Sequence, residues 1–204
     1  MAGDETILKA IGMVAALVVS IPAFAAVMAL HRPTEAATRP VAPPAYALTL
    51  SADGARVDLE GRIDFGVTAD LTALLKAVPG ITTLRLQSPG GRVAEARGLV
   101  TVVKRFDLAT VARGDCASAC TLVFISGQNR KLDPGARLGF HGYDLRAPVF
   151  GMIDPAVEMA RDSAVFRAAG VTGDFLDRAM AVPHRTMWFP DRGDLIAAGV
   201  IQGC

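Results

Sequence analysis

The chain has 204 residues, with 21 Lys and Arg against 20 Asp and Glu, three histidines and three cysteines. A formal charge of +1 without a long basic run excludes a nucleic-acid footprint. The three cysteines come without a further cluster of ligating residues and argue against a metal site.

The first segment is unlike the rest. Residues 10–30 carry no charged side chain, and as a helix they would be roughly 30 Å long, enough to cross a bilayer core. Residues 1–32 are therefore expected to be a single-pass transmembrane helix. A cleaved signal is the alternative, since Ala23-Phe24-Ala25 has a small-x-small pattern. Asp4 and Glu5 beside Lys9 favour the uncleaved anchor. Residues 33–44, with Pro33, Pro40, Pro43 and Pro44, read as an extended tether. Residues 45–204 then form one domain with a core of its own, which an export signal would place in the periplasm or outside the cytoplasm.

Within that domain, 46–50 and 55–59 are short alternating runs joined by Ser51-Ala52-Asp53-Gly54, a hairpin signal. Thr68 is the expected N-cap of a helix to about Val78, ended by Pro79-Gly80. A strand over 81–86 leads into Ser88-Pro89-Gly90-Gly91, and a helix follows over 93–104. The alternation continues with a strand at 108–111, a buried helix at 118–125, a solvated loop at Arg130-Lys131, and a strand at 138–140 entering His141. Residues 154–169 are helical by composition, and 173–180 read as a second short helix. Strands alternating with helices imply an α/β fold with a mostly parallel sheet.

Three features carry chemistry. Ser118 stands where a strand turns into a helix, between small Ala117 and Ala119. The amide of Ala119 is free of the first helical hydrogen bonds and can face a developing negative charge. Ser88-Pro89-Gly90-Gly91 presents bare amides that suit an oxyanion hole or a peptide backbone, and Pro89 and Gly90 are the expected substrate contacts. His141, at a strand end, is the expected general base, with His184 in reserve. Cys116 and Cys120 flank the serine and share a helical face, so they form either a local disulfide or two buried thiols; Cys204 is a third candidate partner.

In order and spacing, Leu86-Gln87-Ser88-Pro89-Gly90-Gly91, Gly114-Asp115-Cys116-Ala117-Ser118-Ala119-Cys120 and Ala136-Arg137-Leu138-Gly139-Phe140-His141 resemble the Clp-type serine peptidases of the ClpP/crotonase superfamily. The resemblance runs over roughly 57–201 and implies the family's spiral α/β fold. By it, Ser118 is the nucleophile and His141 the base, with the Gly91 and Ala119 amides as oxyanion hole. No cofactor is implied. Counting back from Gly199-Val200-Ile201 puts Thr186 where the family has its catalytic aspartate, with Asp177 and Asp191 as carboxylates that could reach in instead. The implied activity is serine-type hydrolysis of extended peptides at the membrane or in the periplasm, by a homo-oligomer. The other reading is a catalytically inactive Clp-like module that binds peptide or acts as a scaffold. A Ser-Lys dyad, as in SppA-type peptidases, would need Lys104 or Lys131.

Overall fold

The computed structural model describes residues 45–143 and 154–202. Six strands form one sheet: β1 (Tyr46–Leu50), β2 (Arg56–Gly61), β3 (Thr83–Ser88), β4 (Ala109–Ala117), β5 (Arg130–Leu132) and β6 (Arg137–Gly139). The helices are α1 (Val67–Ala77), α2 (Val93–Arg105), α3 (Ala119–Ile125), α4 (Pro155–Ala168), α5 (Gly173–Ala181) and α6 (Arg192–Ala197).

The sheet is mixed, which corrects the expectation of a mostly parallel one. The hairpin joining β1 to β2 forces them antiparallel, Leu48 opposite Leu59, because so short a link cannot make a crossover. β2, β3 and β4 then pair in parallel, and β5 and β6 share the other edge of β4. Between its two halves β4 bulges: Leu86 pairs with Ala112, but Ser88 pairs with Cys116. The bulge at Arg113-Gly114 redirects the end of β4 towards β6, where Ala117 pairs with Gly139, and so carries Ser118 to the mouth of the sheet.

Val57, Leu59, Leu84 and Leu86 alternate into a core completed by α1, α2 and α3. Every residue of α3 is buried, so this short helix is the centre of the domain. Phe140, Phe166, Phe175 and Trp188 form a second knot, with Phe140 and Phe175 edge-to-face at 5.2 Å. It ties the end of β6 to α4 and α5.

Two local expectations change. Thr68 does not cap α1; the cap is Gly66, and the Glu95 carboxylate of α2 accepts from the Gly66 and Thr68 amides and the Thr68 hydroxyl. Arg130-Lys131 is strand β5 rather than a solvated loop, and Arg130 is buried. Its guanidinium donates to the carbonyls of Gly127, Ala169, Gly199 and Val200, which takes the place of water.

The membrane anchor is also corrected. Among the described residues no helix is long and apolar enough to cross a membrane, and residues 1–44, on which the anchor and tether expectations fell, lie outside the described residues. The transmembrane helix, the membrane as a partner and the periplasmic placement are accordingly withdrawn.

Candidate active site

Ser118 joins β4 to α3 with φ 55° and ψ −127°, a region that residues with a Cβ enter only when their surroundings hold them there. The restraints are all visible. The Ser118 amide donates to the Gly139 carbonyl at 2.9 Å. Its own carbonyl accepts from the Thr121 amide at 2.9 Å and the Thr121 hydroxyl at 2.7 Å. Beneath it runs Gly90, where an added Cβ would lie 2.7 Å from the Ala117 carbonyl oxygen and 2.9 Å from the Ser118 Cβ. A backbone held this far from comfort turns the side chain out of the fold.

The hydroxyl meets His141. Ser118 Oγ lies 2.7 Å from His141 Nε2, and His141 Nδ1 lies 2.7 Å from the Gly142 carbonyl. A carbonyl oxygen can only accept, so Nδ1 carries the proton and donates it to Gly142. Nε2 of the neutral ring then accepts from the serine hydroxyl, the tautomer a general base needs. The histidine is placed by main-chain bonds on both sides. Phe140 exchanges two with Trp188, at 2.8 and 2.9 Å, and the Gly142 amide donates to Val182.

The glycine turn closes one wall. The buried Ser88 hydroxyl accepts from the Gly90 amide at 3.1 Å. The Ile63 amide donates to the Gly90 carbonyl, and the Arg92 amide donates to the Ile63 carbonyl. Gly91 sits between these two bonds in a parallel bridge with Ile63, which leaves its own amide facing away from Ile63. A side chain there would meet the Ile63 oxygen at 2.1 Å.

These groups line a cleft of about 250 Å³ that includes Gly91, Ser118, Ala119, His141, Tyr143, Asp162 and His184. Val93, Leu122, Phe140, Phe166 and Met180 make much of its wall apolar. The structure places the other expected site residues differently. Thr186 is exposed and its hydroxyl donates to the Pro183 carbonyl at 2.9 Å, so the partner of His141 Nδ1 is Gly142 and the Thr186 expectation is corrected. Asp191 caps α6 through the Asp194 amide, and Asp177 is exposed on α5. Lys104 lines a separate cavity behind α3 and Lys131 is exposed on β5, so neither supplies a dyad. Gly90 is buried under the serine with its carbonyl taken by Ile63, while Pro89 is exposed. Cys116 and Cys120 are joined as a disulfide, Cα to Cα 5.3 Å; Cys204 lies outside the described residues. Among the described residues no group of three or more His, Cys, Asp or Glu could hold a metal ion.

One part of the cleft escaped the sequence. Asp162 of α4 is 2% exposed and takes Arg97 Nε at 2.6 Å and the second guanidinium nitrogen at 2.9 Å. Glu158 pairs with the same guanidinium, and the Tyr143 hydroxyl donates to Asp162. Hydrogen bonding to Asp162 drives the Arg97 pKa further upward, and burial, followed by the bond to Asp162, pushes the Tyr143 phenol well above its ordinary range. The signal available was faint: Asp162 stands four residues before Phe166, a carboxylate on the apolar face of its helix.

No family model matches the sequence, and no curated protein matches it. Solved structures do. ClpP1 from Listeria monocytogenes superposes with a TM-score of 0.57 at 17% identity, over 72% of this chain and 88% of that one. A point mutant of the same protein gives 0.58 at 18% identity, over 73% and 90%. The likeness is one of fold. The chain thus has a ClpP-like α/β architecture, on which the contacts of Ser118 and His141 must be weighed by their own geometry.

Proposed function

We propose that this domain is a serine-type hydrolase that cleaves amide or ester bonds in extended, peptide-like substrates. The observation that carries the reading is the 2.7 Å contact from Ser118 Oγ to His141 Nε2, in a ring whose other nitrogen is committed to a carbonyl. Ser118 attacks the scissile carbonyl carbon as its proton passes to His141 Nε2. The tetrahedral oxyanion is received by the amides of Gly91 and Ala119. His141 returns the proton to the leaving nitrogen or oxygen, which departs and leaves an acyl-serine. Water, deprotonated by the same ring, then releases the acid.

The orienting partner sets the expected rate. A carbonyl fixes the tautomer as an aspartate would, but it carries no full charge to stabilise the imidazolium that forms. Turnover should therefore be slow, with the acyl-serine reached readily enough for covalent capture.

The test is reaction with a fluorophosphonate probe together with hydrolysis of a peptide and ester library. Wild-type protein should be labelled at Ser118. His141→Ala should lose on the order of 10²–10⁴-fold in rate, and Ser118→Ala should lose labelling altogether. Folded wild-type protein that never labels, or Ser118→Ala protein that keeps full hydrolysis, overturns the proposal. The first result would favour a peptide-binding module without catalysis, a reading supported by the carbonyl that His141 Nδ1 meets among the described residues.

A further inference from the structure

The Cys116–Cys120 disulfide brackets the nucleophile, and the cleft needs that nucleophile in a conformation it would not keep unaided. Cys116 is the penultimate residue of β4 and Cys120 the second of α3, so the bond closes the strand end on the helix start across Ser118. The residues between are Ala117, Ser118 and Ala119, the last two of which carry the reacting oxygen and one oxyanion amide. Both sulfurs belong to residues with no exposed surface, packed in the main core.

A disulfide over so short a loop removes little freedom from the unfolded chain, because the entropy it takes away grows with loop length. Its effect is concentrated where it sits. The other restraints on the elbow are hydrogen bonds to Gly139 and Thr121 and the packing of Gly90, each of which yields to a small rotation about Ser118. The disulfide is the one covalent tether across the turn.

Resting on the serine-hydrolase reading, we infer that Cys116 and Cys120 are positioning residues whose disulfide holds Ser118 in its attacking conformation, so that the site is active when oxidised and impaired when reduced. Reduction by a small dithiol balances simply. One thiolate attacks a cysteine sulfur to give a mixed disulfide, and the second thiol closes the reagent into its own cyclic disulfide. Two electrons and two protons end on the cysteine pair as two thiols. Because both cysteines are buried, that attack follows local opening of the elbow and is slow in the native protein.

The experiment compares full-length protein oxidised, reduced with dithiothreitol, and as the Cys116→Ser/Cys120→Ser double variant. Mass analysis of the peptide carrying both cysteines reports the redox state. The readouts are the concentration dependence of fluorophosphonate labelling and amide hydrogen exchange over residues 117–121. Displacement of a reacting atom by about 1 Å can cost on the order of 100-fold, so reduction should lower the limiting labelling rate at least about tenfold. The half-saturating probe concentration should stay unchanged, exchange at 117–121 should rise, and reoxidation should restore both. An unchanged limiting rate in fully reduced protein overturns the inference and leaves the serine-hydrolase reading standing. Absence of labelling in both states sinks that reading instead, and exchange then decides the tether alone: unchanged protection at 117–121 overturns it. Should the double variant fail to fold, the reduced wild-type chain gives the same comparison.

Discussion

Gly90 shows how much a missing side chain can do. It has φ 93°, and a methyl group there would press on the Ala117 carbonyl, the Ala119 amide and the Ser118 Cβ at once. All three belong to the elbow, two of them backbone that cannot swing aside. Gly90→Ala should therefore cost about 1–3 kcal/mol in stability and should slow probe labelling more than it lowers the melting temperature would suggest; labelling at wild-type rate would contradict this account. At this scale the sequence was partly legible. The meeting of Ser118 with His141 had a local signal, a serine between small residues and an imidazole at a strand end. Thr186 misled because its place was counted along the chain, whereas its hydroxyl and amide both close a turn on the Pro183 carbonyl. A side chain that satisfies its own turn has little left to offer a neighbour. The Gly142 carbonyl could not have been read at all, since every residue type carries one.

Between elements, the domain is joined by a few acids that reach across. Glu95 of α2 serves as the missing cap of α1. The Thr68 hydroxyl bond and the two amide bonds pull its carboxyl below the usual range, against the opposing effect of burial. Its folded pKa is depressed, so its contribution is present above the ordinary carboxylate value of about 4.3 and is lost as pH falls through the folded value. Glu95→Gln should destabilise by about 1–3 kcal/mol near neutrality, and the gap from wild type should narrow in acid below about pH 4; parallel stability curves across that range would refute it. Asp162 does the same work between α2 and α4. Asp162→Ala leaves Arg97 to Glu158 alone and strips the Tyr143 hydroxyl of its acceptor, a loss of about 3–5 kcal/mol for a broken buried pair, measurable by denaturant titration. Helix α4 was legible from its composition, and α1 from Leu71, Leu74 and Leu75 on one side. The pairing of Arg97 with Asp162 was not, because it joins residues 65 apart and no periodicity records a contact of that kind.

The alternation of strands and helices pointed to an α/β fold, and it also hid two things. It favoured a mostly parallel sheet, although the first hairpin had already announced an antiparallel edge. It also passed over β5, because a strand of three residues beginning Arg-Lys looks like solvent-facing loop until the fold supplies its partners. Those partners are the carbonyls of Gly127, Ala169, Gly199 and Val200 around the Arg130 guanidinium, a buried cation held by dipoles. Burial lowers its pKa. Arg130→Lys should not rescue the site, since a compact ammonium cannot span four acceptors set around a planar fork, and a loss of about 3 kcal/mol in a chemical denaturation curve is expected. Two of the four acceptors, and the Gln202 side chain that receives the Arg130 amide, lie 69 to 72 residues downstream of it. A nascent chain therefore carries its charge unmet until residues 199–202 have left the ribosome. Strand β5 can lock only then, so protease resistance of the domain should arrive late and abruptly in a series of stalled chains.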